Sequence, residues 1–248
     1  MSLFIEAHCK FDGDPIVSNL CWSHSDPIAA VATSSEDNKG NELFQVLFLN
    51  NEGVLLKNSS INHDKEATVM DWQPNGRLLA IGWADGMVSC WTVDGRNRPT
   101  STYSNTSQHS SSVTMILWNP LGKRVISGDQ GGVVNVWSVD ARGTLSPTRQ
   151  YRKNSKITKA VFCTITPSSS SRFEQNSLKG SKPVAARKAE IKQLYSPAFF
   201  FGTEKGNLVY ADDLGHCADV QQVLILNNTV LTYCYFPISM SSVFLHTL

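Results

Sequence analysis

Two histidines, His63 and His109, each stand nine residues ahead of a tryptophan, Trp72 and Trp118, with serines and aspartates nearby in the chain. A histidine sharing a hydroxyl and a carboxylate could serve as the base of a nucleophile. The local sequence does not support that use, because no G-x-S-x-G turn occurs to lift a serine into a cleft. No G-x-x-x-x-G-K-[ST] loop is present to cradle a phosphate. The run Gly128-Asp-Gln-Gly-Gly132 is glycine-rich, but it lies between two short predicted strands rather than ahead of a helix. Cysteines fall at 9, 21, 90, 163, 217 and 234 with no C-x-x-C pair, and the adjacent His216 and Cys217 are poorly placed to share one tetrahedral metal. Asp212 and Asp213 read as a solvated turn after a strand. These residues predict no catalytic centre, no cofactor and no metal.

Charge is the second feature that could do chemistry. The chain carries 22 basic and 21 acidic groups, but they are segregated. Residues 1–141 have a net charge of −6, residues 142–192 of +10 and residues 193–248 of −3. The basic block holds Arg149, Arg152, Lys153, Lys156 and Lys159, then Lys179, Lys182, Arg187, Lys188 and Lys192. Its plainest reading is a solvated, Ser-rich insertion. The second reading is a docking surface for an acidic protein or for anionic lipid. Nucleic acid is not expected as a partner, because the block offers few aromatics for base stacking and no RNA-binding motif.

The elements that hold these residues are repeats. Residues 68–91 align without a gap on residues 114–137, at an offset of 46. Trp72 matches Trp118, Pro74 Pro120, Gly76 Gly122, Gly82 Gly128, Gly86 Gly132 and Trp91 Trp137; His63 and His109 match as well. Each unit reads as short strands parted by turns. Val69–Trp72 alternates, Gln73-Pro-Asn-Gly76 is a turn, Arg77–Gly82 is a more buried strand, and Met87–Trp91 follows the Ala84-Asp-Gly86 turn. Even spacing of short strands at a period near 45 predicts propeller blades. Weaker copies flank the pair, around Trp22 upstream and from Ile157–Phe162 to Asn207–Tyr210 downstream. The prediction is therefore an all-β, incomplete β-propeller over residues 1–236. Its blades lie near 16–56, 63–95, 109–141 and 157–213, with an insertion at 164–197, the start of a fifth blade, and a divergent tail at 237–248. Four blades and a beginning are fewer than ring closure takes, so the expectation is a truncated product of low stability.

The chain length of 248 residues and the 41% apolar content are enough for a core. No run of 18 apolar residues and no export signal are seen, which predicts a protein that does not span a membrane and resides in a reducing compartment.

The tryptophan-closed units resemble the WD-repeat family. That family implies a buried network of His, Ser or Thr, Asp and Trp in each blade. On this sequence it maps to His63, Asp85 and Trp91, with Ile81 at the hydroxyl position. In the next unit it maps to His109, Ser127 and Trp137, with Gly131 at the aspartate position. The runs Leu78–Val88, Arg124–Val134 and Asp140–Gly143, and Phe199–Asp213 after a long insertion, resemble the N-terminal propeller of the intraflagellar transport protein 140 family. The resemblance implies a non-catalytic scaffold of intraflagellar transport complex A. Retrograde ciliary transport, cilium assembly and ciliary entry of membrane proteins come with it. So do complex A subunits as partners, and residence at the cilium, its basal body and the cytoplasm. The alternative is a WD-repeat adaptor of a vesicle coat or another intracellular assembly.

Overall fold

The computed structural model describes residues 15–36, 40–93, 98–105, 108–164, 195–212, 215–222, 225–226 and 229–230. Every regular element among them is a strand. The first antiparallel sheet holds β1 (Ile16–Trp22), β2 (Ile28–Glu36), β3 (Glu42–Asn50) and β4 (Leu55–His63) in chain order. The second holds β5 (Ala67–Trp72), β6 (Leu78–Trp83), β7 (Val88–Val93) and β8 (Pro99–Asn105). The third holds β9 (Val113–Trp118), β10 (Arg124–Asp129), β11 (Val133–Val139) and β12 (Leu145–Arg152). The fourth holds β13 (Ile157–Thr164), β14 (Tyr195–Thr203), β15 (Asn207–Ala211) and β16 (Cys217–Gln222). A two-stranded ribbon, β17 (Ile225–Leu226) and β18 (Thr229–Val230), completes the described strands.

Each sheet is an up-and-down meander, the form of a propeller blade. The outer strands of the first three sheets carry the weakest sequence signal. β4, β8, β12 and β16 carry the blades to residues 63, 105, 152 and 222. The reason is physical: β8 (Pro-Thr-Ser-Thr-Tyr-Ser-Asn) covers a blade edge that faces solvent, and hydrophobic alternation is weak there.

The core lies between sheets. Leu79, Ile81 and Trp83 on one face of β6 join Ile28, Ala30, Val46, Phe48 and Trp72 in a cluster between the first two sheets. Ala80, on the opposite face of β6, joins Val113, Ile116, Trp118 and Trp137 in a cluster between the second and third. A strand covered on both faces reads as a near-continuous apolar run, as Leu78–Trp83 does. Gly82 permits the close approach: a Cβ there would collide with Val113. The Phe48 and Trp72 rings meet edge to face at 6.3 Å.

The chain divides into two compact units. The first comprises residues 1–159 with 203–205, and holds the first three sheets. The second comprises residues 160–202 and 206–248. Within the second, Phe199 packs between Phe162 and Phe201 at ring separations of 6.0 and 6.2 Å. The greater part of the 164–197 insertion and the 237–248 tail lie outside the described residues.

Candidate functional site

The polar side chains that the sequence singled out are gathered inside two blades. In the third sheet the loop before β9 carries His109, which is buried against β10 and β11. Trp137 Nε1 donates to Ser127 Oγ at 2.8 Å, and Ser127 Oγ lies 2.7 Å from His109 Nε2. His109 Nδ1 lies 3.0 Å from Asp129 Oδ2, and Asn135 Nδ2 lies 3.0 Å from His109 Nε2. One tautomer fits: Nδ1–H donates to Asp129 and the single Nε2 lone pair accepts from Ser127, the nearer donor, while Asn135 Nδ2 donates to the Gln108 carbonyl at 3.0 Å. Asp129 Oδ1 also accepts the Val133 N–H at 2.7 Å, and Gln150 Nε2 donates to Asn135 Oδ1 at 2.9 Å. The network thus ties the preceding loop, β10, β11 and β12 together.

Burial works to raise the Asp129 carboxyl, but the bonds from His109 and from the Val133 N–H outweigh it and hold it below the ordinary carboxylate range. Ser127, His109 and Asp129 have the connectivity of a nucleophile, a base and an orienting carboxylate. All three are buried, with Ser127 and Asp129 at 0% exposure, and the Ser127 oxygen already accepts a hydrogen bond from an indole. A substrate would reach the hydroxyl only by opening the blade.

The WD-repeat resemblance places this aspartate at 131, where Gly131 stands; the carboxylate is Asp129, two residues earlier. The second blade shows the exchange in reverse. Trp83 occupies the position that matches Asp129, and Asp85 the position that matches Gly131. His63 Nε2 meets Asp85 Oδ2 at 3.0 Å, and the His63 ring lies 4.3 Å from the Trp83 ring. Ile81 fills the hydroxyl position, and Ser89 on β7 supplies the oxygen instead. Ser89 Oγ accepts from both Trp83 Nε1, at 2.8 Å, and Trp91 Nε1, at 2.9 Å. The family pattern takes one residue type per position and so does not point to Trp83, Ser89, Asp129 or Asn135. The ungapped alignment at 46 residues already paired Trp83 with Asp129 and Ser89 with Asn135.

A second set of polar contacts joins neighbouring blades. Trp72 Nε1 donates to the Cys21 carbonyl at 3.3 Å, and Trp118 Nε1 to the Asp71 carbonyl at 3.0 Å. The Trp118 N–H also donates to Asp71 Oδ2 at 2.8 Å. Burial pushes the Asp71 carboxyl up from its ordinary value, and that bond only partly offsets the effect. Burial, helped by the Asp71 charge, pushes the Cys21 thiol up to about 12; burial does the same to Cys90. Both thiols are thereby poor nucleophiles.

The basic residues sit at the edge of the third sheet and just beyond it. Arg149 and Arg152 lie on the exposed outer strand β12. Lys153 and Lys156 lie in the turn that follows, where Lys156 Nζ is 3.9 Å from Glu204. Lys179, Lys182, Arg187 and Lys188 fall outside the described residues. Among the described residues no group of three or more His, Cys, Asp or Glu is placed to hold a metal ion, and no helix is long and apolar enough to cross a membrane.

Comparison with solved structures shows the same fold in proteins of distant sequence. A chain of the crystal structure of the mitotic checkpoint complex superposes with a TM-score of 0.55 at 17% identity, over 85% of this chain and 54% of that one. Sqt1 of Saccharomyces cerevisiae superposes with a TM-score of 0.55 at 12% identity, over 90% of this chain and 66% of that one. The chain thus spans between half and two thirds of the length of these neighbours. No curated protein matched the sequence. The family model for the IFT140 first beta-propeller matches residues 2–238, nearly the whole chain. With four meander sheets and tryptophan-linked blades beneath that match, the chain belongs to the IFT140 first beta-propeller family.

Proposed function

We propose that the chain is a non-catalytic scaffold element of intraflagellar transport complex A, acting in retrograde ciliary transport, cilium assembly and ciliary entry of membrane proteins. The observation that carries this reading is the match of the family model over residues 2–238. The geometry is compatible with it: the polar networks are spent on holding blades together, and the variable surface is left to turns and outer strands, which suits assembly more than chemistry. The partners are other complex A subunits, and the site of action is the cilium, its basal body and the adjoining cytoplasm. The basic residues Arg149, Arg152, Lys153, Lys156, Lys179, Lys182, Arg187 and Lys188 are the surface to be tried against an acidic protein face. Anionic vesicles test the lipid version, in which cosedimentation at low salt falls when Lys179, Lys182, Arg187 and Lys188 are neutralised.

The deciding experiment is an affinity purification of the tagged 248-residue chain from ciliated cells, read by mass spectrometry. Complex A subunits are the expected companions. Coat adaptor subunits in their place would favour a vesicle-coat role, and chaperones alone would overturn the scaffold reading for this chain.

A further inference from the structure

The chain holds three pairs of adjacent basic residues, Lys123-Arg124, Arg152-Lys153 and Arg187-Lys188. Two residues beyond the first pair stands Ile126, and two beyond the third stands Glu190; the same place after the second pair holds a hydroxyl, Ser155. Arg152 ends β12, Ile157 begins β13, and the turn Lys153-Asn-Ser-Lys156 between them belongs to no strand. Arg152 and Asn154 are exposed, and Ser155 is half-buried. Ser155 Oγ accepts the Lys205 N–H at 3.3 Å, a long bond, and no acceptor for its own hydrogen is found among the described residues.

The repeat supplies a comparison inside the same chain. Aligning the inner strands on Val113 and Ile157 puts Ser111 opposite Ser155, and the hairpin residues Gly131 and Lys205 match as well. Gly131 donates its N–H to Ser111 Oγ at 2.8 Å, so the two serines hold their turns by the same bond. Their surroundings differ. Where the fourth copy has Arg152, Lys153, Lys156 and Lys205, the third has Gln108, His109, Ser112 and Gly131. Holding the turn therefore does not call for four cations, since Ser111 does so with no Lys or Arg at those places. Lys205 Nζ donates to the Asn154 carbonyl at 3.1 Å, next to the serine, and Lys156 Nζ lies 3.9 Å from the carboxylate of Glu204. Cations around a serine serve a phosphoryl group in two ways: they match the acidic cleft of a kinase, and they pair with the phosphate once it is in place.

We propose that Ser155 is a phosphorylation site, modified by a serine/threonine kinase that selects basic residues three and two places ahead of the acceptor. The phosphoryl donor is magnesium-bound ATP. Ser155 Oγ attacks the γ-phosphorus and its proton passes to the kinase's catalytic carboxylate; the Oγ–P bond forms, the bond from that phosphorus to the bridging oxygen breaks, and ADP leaves. The phosphate keeps an acceptor for the Lys205 N–H and gains the Lys205 ammonium as a charge-assisted donor. It also brings a charge of about −1.5 to −2 into the basic stretch. Weaker attraction to an acidic partner follows, a consequence that rests on the docking reading above, whereas the site itself does not.

Kinase assays on the full 248-residue chain test it, with the catalytic subunit of cyclic-AMP-dependent kinase as the probe and site-resolved mass spectrometry as the readout. Phosphate should appear on Ser155 and not on Ser111. Arg152→Ala should slow labelling of Ser155 by about tenfold or more, the loss of one charged hydrogen bond to the kinase. Far-UV circular dichroism checks that this variant keeps its fold. Chain purified from cultured cells with phosphatases inhibited should carry the same phosphate. By NMR, the Lys205 amide should exchange more slowly in the phosphorylated chain than in the unmodified one. Ser155 left unmodified in the assay or in cells would overturn the proposal. So would labelling of a synthetic 149–159 peptide with none on the folded chain, because the fold would then withhold the hydroxyl. Undiminished labelling of Arg152→Ala would show that the basic pair does not direct the kinase, and unchanged Lys205 exchange would remove the phosphate from its seat on this turn; either result counts against the proposal.

Discussion

Asp129 and Asp71 carry opposite electrostatic burdens. Asp129 is held ionised by His109 and the Val133 N–H, with a carboxyl depressed below its ordinary value. Its contribution to stability is present above the unfolded-state pKa, about 3.9, and is lost as pH falls through the lower folded value. Asp129→Asn should destabilise the chain at neutral pH by about 1–3 kcal/mol, the cost of a broken charged hydrogen bond in a buried site. Urea melts from neutral to acid pH should show the deficit shrinking as the native carboxylate protonates. Asp71 is the reverse case, because burial raises its carboxyl. Its favourable contribution exists below the unfolded pKa and is lost as pH rises through the folded one. Asp71→Asn keeps an acceptor for the Trp118 N–H and removes the buried charge. It should match or exceed the parent in stability at neutral pH, and the gain should vanish in acid. A neutral-pH loss above about 1 kcal/mol would show that the charged hydrogen bond outweighs desolvation.

At the level of the element, the hairpins between the second and third strands decide the register. Gly132 turns β10 into β11 at a φ of +90° with its N–H on the Asp129 carbonyl at 3.3 Å, and a Cβ there would collide with the Lys153 carbonyl. Gly132→Ala combines backbone strain with that collision and should cost more than about 1 kcal/mol. Chemical denaturation reads it directly, and an unchanged midpoint would mean that the hairpin relaxes freely. The strand β6 was legible in the sequence because a strand covered on both faces reads as a near-continuous apolar run, and β10 was legible through its alignment on β6 at 46 residues. The outer strands were not, because solvent-facing edges such as Ser101–Ser104 carry no alternation to detect.

Across the molecule, stability is carried by interfaces between adjacent sheets, so equal residues at equal repeat positions are not equal in energy. Trp72→Ala and Trp118→Ala remove buried indoles from two such interfaces and should each cost about 3–5 kcal/mol. Trp22→Ala, half-exposed on β1, should cost less than about 1 kcal/mol in dilute solution. Thermal melts of the three variants check this ranking. A Trp22→Ala penalty as large as the other two would mean that the β1 face is already covered within one chain.

The blade repeat follows from the sequence alone. Tryptophan, proline and glycine recurring 46 residues apart fix where strands end and turns begin, because local chemistry decides which residues tolerate a turn and which demand burial. The family resemblance rests on the same residues. Only the tertiary structure decided which polar side chains meet. His109 finds Asp129 rather than a residue at 131, and Ser89 serves two indoles in place of a hydroxyl at 81. Those partners are chosen by which atoms the packed sheets bring within about 3 Å, the range in which a hydrogen bond forms. Exposure was settled the same way: Trp22, Trp72 and Trp118 are alike in sequence, and a tryptophan is buried only where a neighbouring blade is there to cover it.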